Sequence, residues 1–171
     1  DFLGNEFAYL TDNCMPGSSK AERCQALSVE VQAYYTTNAV EDQLKEFLPK
    51  TFQGSKKKTK PPKLKGSAAT TRALVRFGAE MARKYLSDDD PKELAIKTAA
   101  HHLHNCYQSL HHSNEALSHT ALYNSSKIFA LQFGALWEAH GKGPYWRPMP
   151  KMHMFLELCS QGTEPQKFWN Y

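Results

Sequence analysis

Eight histidines are the side chains with the widest chemical range in this sequence. His101 and His104 stand three residues apart in a segment with helical periodicity, so one helix face would carry both. Zinc takes three or four ligands, and a third from His111 would lie roughly 10 Å further along the helix axis. One helix cannot close such a site. We therefore predict a solvated histidine face that becomes positively charged as pH falls through about 6 to 7, with no bound metal and no cofactor.

The other reactive residue types form no recognisable catalytic pattern. Asp88, Asp89 and Asp90 precede Pro91, which is typical of a helix start rather than of a metal cluster. The sequence has no glycine-rich phosphate loop, no GxSxG turn and no HExxH motif, so we predict no self-contained catalytic site. The cysteines lie far apart, and we expect them to be reduced and partly buried: Cys14, Cys24, Cys106 and Cys159.

Positive charge is concentrated in residues 50–66, which contain seven lysines and no acidic residue. The whole chain carries a net charge of +4, so the rest of it carries −3. Mutual repulsion and two prolines predict an exposed basic loop here. The loop could be a solvated linker or could bind the phosphates of nucleic acid, and the sequence leaves both open. Its candidate DNA contacts are Lys56, Lys57, Lys58, Lys60, Lys63 and Lys65.

Length and composition are those of a globular domain. The chain has 171 residues, of which 41% are hydrophobic and 22% are charged, enough for one core. No apolar run approaches the roughly 18 residues that span a bilayer, so we predict an intracellular protein without a membrane role. Because the chain begins with Asp1 rather than Met, we expect it to be a fragment of a larger protein.

Apolar residues recur at three- and four-residue steps, and no segment alternates with the period of a strand. We therefore predict an all-α fold, an irregular bundle of five to six helices in a single helical domain over residues 1–171. Residues 120–140 are the most apolar and should form the central helix. The first 19 residues show no sustained period and predict a short helix or turn followed by a loop. The other predicted helices cover residues 20–37, 38–48, 68–86, 91–112 and 150–162.

Three segments resemble transposase-like proteins of eukaryotic mobile elements. They are PKMHMFLELC (residues 150–159), PQKFWNY (165–171) and LKGSAATTRALVRFGAEMA (64–82). In relatives with an RNase H-like catalytic fold, similar segments lie in a helical insertion ahead of the last catalytic carboxylate. The resemblance implies strand cleavage and transfer by two metal ions held on carboxylates, of which the last would lie beyond Tyr171. This chain would then supply support and DNA contact.

The resemblance also assigns candidate residues. Lys151 and His153 match the motif, whereas a second histidine that is frequent four positions later is here Glu157. With Arg72 and Arg76 on the predicted helix over 68–86, they complete the candidate DNA contacts. The leading hypothesis is a DNA-contacting helical accessory segment, which would work in the nucleus.

The alternative is a helical protein-interaction or structural subunit without catalytic activity. Three large rings close the sequence, where a chain end would otherwise fray. A partner protein, or the remainder of a larger protein, would dock on Phe168, Trp169 and Tyr171.

Overall fold

The computed structural model describes residues 2–52, 61–110, 118–141, 145–148 and 150–160. These residues form six α-helices and one 3₁₀-helix, Pro49–Thr51, with no strand among them, so the predicted all-α bundle is confirmed. No helix in these ranges is long and apolar enough to cross a membrane. The α-helices are α1 (Phe2–Asn13), α2 (Lys20–Asn38), α3 (Ala68–Tyr85), α4 (Pro91–Ser109), α5 (His119–Ala139) and α6 (Pro150–Ser160).

Side-chain caps begin α2 and α4 where the sequence predicts them. The Ser19 hydroxyl accepts the Glu22 N–H, and the Asp90 carboxylate accepts two N–H groups in the first turn of α4. Both caps satisfy donors that have no partner within the helix. The Glu93 carboxylate also accepts the Ser87 N–H at 2.7 Å, which fixes the turn that leads into α4. Local capping chemistry therefore sets these two boundaries.

The predicted helix over residues 38–48 is wrong. Beyond α2 the chain leaves the helical conformation, and two of its N–H groups bond to side chains of α2. The Leu44 N–H donates to the Tyr35 hydroxyl at 2.9 Å, and the Phe47 N–H donates to the Ser28 hydroxyl at 2.9 Å. Tertiary contacts therefore override the local helical pattern and bury Phe47 in the core.

The most buried helix is α1, not the predicted helix over residues 120–140. Along α5 a buried stripe alternates with exposed positions such as Leu131, which is 63% exposed. The structure confirms the prediction of a short helix near the N-terminus followed by a loop. The pattern does not reveal the burial of this helix, because Asn5, Glu6 and Thr11 are of residue types that are mostly exposed. The buried residues of α1 are Phe2, Leu3, Gly4, Asn5, Glu6, Phe7, Ala8, Leu10 and Thr11.

Two glycines allow the backbone to approach α1 closely. A Cβ atom on Gly78 of α3 would lie 2.8 Å from Leu3 Cδ2 and 2.9 Å from Glu6 Oε2. A Cβ atom on Gly4 would lie 2.6 Å from the Pro62 carbonyl oxygen. Such distances are far inside van der Waals contact, so neither site has space for a side chain. Gly78 brings α3 against α1, and Gly4 brings the segment before α3 against it.

Aromatic contacts spread from α1 in two directions. The Phe7 ring lies 5.2 Å from Phe47 and 5.7 Å from Phe77, between centroids. The Phe2 ring lies 5.3 Å from Phe129 of α5 and 5.6 Å from Trp146. Each pair adds to the burial of its rings. One helix therefore joins the α2–α3 side of the core to the α5 side.

The later helices pack in chain order, α3 on α4, α4 on α5 and α5 on α6. A smaller cluster at one end unites Cys106 of α4, Leu122 of α5 and Cys159 of α6. All four cysteines are free; Cys14 is half-buried and the others are buried, in agreement with the sequence.

Glu6 makes the stability of this fold depend on pH. Its side chain is fully buried, neither carboxylate oxygen has a hydrogen-bond partner among the described residues, and burial raises its pKa from 4.5 to about 8. Between these values the folded state binds more protons than the unfolded state, so stability falls as pH rises. We predict that Glu6→Gln, which stays neutral, stabilises the protein at pH 8 by a few kcal/mol, at about 1.4 kcal/mol per pKa unit.

Urea denaturation followed by circular dichroism from pH 5 to pH 8 measures this effect. The exposed Glu41→Gln is the matched control and should keep the wild-type dependence. An identical pH dependence in wild type and Glu6→Gln would contradict the assignment.

Candidate functional site

The predicted basic loop over residues 50–66 is anchored in the core at its described ends. Phe52 is 4% exposed and Leu64 is 6% exposed, so the prediction of a wholly exposed segment is wrong at these positions. The reason is hydrophobic burial of two apolar residues that stand among the lysines. Residues 53–60 lie outside the described part of the chain, and with them Lys56, Lys57, Lys58 and Lys60.

Exposed basic side chains lie around Leu64 and along α3. Lys63 and Lys65 flank the buried Leu64 and are exposed, and three exposed arginines lie at helical spacing on α3. We call Lys63, Lys65, Arg72, Arg76 and Arg83 the basic strip.

One carboxylate lies within the basic strip. The Arg76 Nε donates to Glu80 Oε1 at 2.8 Å, an exposed ion pair one helical turn apart. The opposite face of α3 is buried through Leu74, Phe77 and Met81, which holds the helix firmly. The strip is therefore a fixed surface with a clear excess of positive charge.

Lys151 and His153 are also exposed but belong to a different part of the bundle. They lie in the first turn of α6, which packs mainly on α5, whereas α3 packs mainly on α1 and α4. The structure thus does not bring these two residues into the basic strip.

The histidines of α4 pair with neighbours on their own helix. His101 Nε2 lies 3.0 Å from Asn105 Nδ2, and His104 Nε2 lies 3.0 Å from Gln108 Nε2. His101 is exposed as predicted, but His104 is half-buried, and burial together with the nearby Arg76 lowers its pKa. The described residues contain no cluster of three metal-ligating side chains. His111 lies outside them.

The structure forms a cleft that the sequence does not reveal. It has a volume of about 180 Å³ and lies where α1, the start of α4 and the end of α5 meet residues 145 and 146. We call it the aromatic cleft. Its lining includes Tyr9, Asn13, Lys92, His140, Tyr145 and Trp146. These residues come from distant parts of the sequence, and the GPYWRPMP segment alone reads as a simple connection.

Trp146 forms the floor of the aromatic cleft and is held in a strained conformation. Its φ is 59°, in the left-handed region that bulky residues rarely adopt, and its side chain is 1% exposed. Asn5 Oδ1 accepts the Trp146 N–H at 3.1 Å, and His140 Nε2 accepts the indole N–H at 3.1 Å. Because the indole can only donate, His140 carries its proton on Nδ1.

Two charged side chains line the aromatic cleft, Lys92 and Asp12, and the Asp12 carboxylate pairs with Lys20. The Lys92 ammonium lies 5.0 Å from the centroid of the Tyr9 ring, and the Tyr9 hydroxyl donates to Glu93 at 3.0 Å. Burial lowers the pKa of His140, and the positive charge of Lys92 lowers it further. The cleft therefore combines a neutral imidazole, a cation and exposed aromatic surface.

Compared with models of protein families, with curated proteins and with solved structures, the chain shows no significant match. The resemblance of three segments to transposase-like proteins therefore stays a prediction. One of those segments, residues 165–171, lies outside the described residues, and so do Phe168, Trp169 and Tyr171.

The His140 assignment predicts a definite spectroscopic result. In an NMR titration the imidazole should carry its proton on Nδ1, because Nε2 accepts the Trp146 indole N–H. Its pKa should lie below 6.5, because burial and the positive charge of Lys92 disfavour the protonated form. Lys92→Ala should raise this pKa, since it removes a neighbouring positive charge. Lys127→Ala, at an exposed site on α5, should leave it unchanged. A proton on Nε2, or titration above 6.5, would refute the assignment.

Proposed function

We propose that this chain is a helical accessory segment of a transposase-like mobile-element protein and contacts the DNA backbone through the basic strip. The observation that carries the proposal is a set of exposed cations, Arg72, Arg76 and Arg83 on one face of α3 and Lys63 and Lys65 in the segment before it, while the opposite face of α3 is buried. Phosphate contacts of this kind position a protein on DNA without reading its sequence.

The dimensions and charge of the strip suit a nucleic-acid strand. Arg72 and Arg83 are separated by about 17 Å along α3, at about 1.5 Å per residue, while phosphates along one DNA strand recur about every 3.4 Å. Five cations and the single carboxylate of Glu80 leave an excess of four positive charges. Arginine suits this role because its planar guanidinium can donate two hydrogen bonds to one phosphate.

The ion pair within the strip does not oppose this function. The Arg76–Glu80 pair is exposed, and exposed pairs contribute only about 0–1 kcal/mol. A phosphate can therefore replace Glu80 as the partner of Arg76 at little energetic cost. The first turn of α3 also carries no acidic residue that would repel an anion from the helix N-terminus.

The proposal gives this chain no catalytic step. In proteins of the resembled type, strand cleavage and transfer are carried out by metal ions on carboxylates, and this segment would hold DNA beside them. Such a role would place the protein in the nucleus. Lys151 and His153 would be a second, separate DNA contact on α6.

Salt-dependent binding to duplex DNA tests the proposal. Fluorescence anisotropy at about 50 and 200 mM salt should show affinity that weakens with salt, with a log–log slope of about −0.9 per phosphate contact. Arg72→Ala combined with Arg76→Ala should weaken binding and reduce the slope by about two contacts. The matched control, Lys45→Ala with Lys127→Ala, removes two exposed cations elsewhere and should have a much smaller effect. No affinity at low salt, or equal losses in both double variants, would contradict the proposal.

Exposed apolar side chains favour the alternative, a protein-interaction or structural subunit. Leu131 of α5 and Met154 of α6 are 63% and 62% exposed, and such residues are typical of docking surfaces when they lie together. In that case, removing residues 165–171 should abolish assembly in sedimentation experiments and leave DNA affinity unchanged. Isolated exposed apolar residues are common on monomers, so this function ranks second.

A further inference from the structure

We propose that the aromatic cleft binds a single unpaired nucleotide, with its base on Tyr145 and its phosphate at Lys92. The cleft shares no residue with the basic strip, so nucleotide binding in the cleft can be tested separately from duplex binding by the strip. A free mononucleotide and an unpaired nucleotide of a DNA strand present the same chemistry to this cleft.

Tyr145 provides the stacking surface. Its side chain is 46% exposed, and its ring packs on His140 at 6.3 Å between centroids with 28° between the planes. His140 is fixed in turn by the indole of Trp146. One contact thus supports the ring, and nearly half of the residue remains exposed. Stacking of a base on an aromatic ring contributes about 1–3 kcal/mol and tolerates any base.

Lys92 provides the charge that a phosphate requires. The carboxylates nearby are already engaged: Asp12 pairs with Lys20 at 2.5 Å, and Glu93 accepts from Tyr9 and Ser87. Among the described residues Lys92 has no ion-pair partner, and its ammonium lies only against the Tyr9 ring. An anion would therefore add a favourable contact without displacing one.

The remaining polar groups can bind the edge of a base or a sugar hydroxyl. His140 Nδ1–H is a donor in the tautomer that Trp146 imposes. The Asn13 amide donates to the Tyr9 carbonyl at 2.9 Å, which leaves its side-chain oxygen as an acceptor. One donor and one acceptor near an aromatic platform match a nucleotide better than a simple anion.

The size of the cleft admits a base but not a whole nucleotide. Its volume of about 180 Å³ is below the roughly 300–1,000 Å³ of pockets for drug-sized ligands. A base could enter while the phosphate stays at the rim, where a strand could continue.

The backbone of Trp146 is a second, independent observation at the same place. A φ of 59° in a large aromatic residue stores conformational energy, and such residues cluster at ligand sites. This conformation places the indole under the cleft and directs the backbone N–H of Trp146 to Asn5 Oδ1, so the floor is formed before any ligand enters.

Calorimetric titration of the full chain tests the proposal with deoxyadenosine monophosphate, a short oligodeoxyadenylate and inorganic phosphate as probes. We expect the mononucleotide to bind more tightly than phosphate. Tyr145→Ala should weaken this binding at least about tenfold, Tyr145→Phe should retain it because the ring remains, and Lys92→Ala should weaken it.

Two exposed residues outside the cleft supply matched controls. Tyr123→Ala removes a ring that is 42% exposed on α5, and Lys127→Ala removes a cation on the same helix; both should bind like wild type. If the oligonucleotide also binds and Tyr145→Ala weakens its binding, the cleft takes a nucleotide of a DNA strand. If only the mononucleotide binds, the ligand is the free nucleotide. The proposal is overturned if neither nucleotide probe binds, or if phosphate binds as tightly as the mononucleotide. It is also overturned if Tyr145→Ala binds the mononucleotide like wild type, or if Tyr123→Ala weakens binding as much as Tyr145→Ala does.

Discussion

The packing of α1 against α3 is the contact on which the other elements depend. Gly78 allows this close approach, because a side chain there would have to displace the ends of the Leu3 and Glu6 side chains. It seats Phe7 between Phe47 and Phe77, while Phe2, one end of the same helix, packs on Phe129 of α5. Full burial of each large apolar side chain contributes about 1.5–3 kcal/mol, so one short helix carries a large share of the core.

The same helix also positions both candidate surfaces. Gly4 lies against the backbone of residues 62–64, and this contact sets where Lys63 and Lys65 emerge. The next residue, Asn5, accepts the N–H of Trp146 and so fixes the floor of the aromatic cleft. Glu6, one position further, is buried with no hydrogen-bond partner among the described residues and opposes the stability that its neighbours supply. Three consecutive residues thus link the basic strip, the cleft and the pH dependence of folding.

Sequence predicts those parts of the structure that local chemistry determines. Ser19 and Asp90 are caps whose side chains bond within one turn, so the starts of α2 and α4 follow from residue type and spacing. The amphipathic stripe of α3 likewise predicts which face its arginines occupy. The segment at 38–48 differs because its N–H groups bond to side chains of α2 that only the folded chain brings near.

Of the two candidate surfaces, one could be predicted from the sequence and the other could not. The basic strip can be predicted because it consists of charge on one helix and the segment before it. The aromatic cleft cannot, since Asn5 and Trp146 meet across most of the sequence and a positive φ at Trp146 leaves no local signal. The burial of α1 cannot be predicted for a related reason: Asn5, Glu6 and Thr11 are of residue types that are mostly exposed, and only the tertiary fold buries them.

Native-state hydrogen exchange tests the central role of α1 most directly. If the other elements depend on this helix, the amides of Phe7 and Leu10 should exchange only through global unfolding, with a free energy equal to that from urea denaturation. The amides of Leu103 in α4 and Phe133 in α5 should show the same value or a lower one. Exchange of the α1 amides at a distinctly lower free energy than those of α4 and α5 would show that the bundle persists without α1, and would contradict this account.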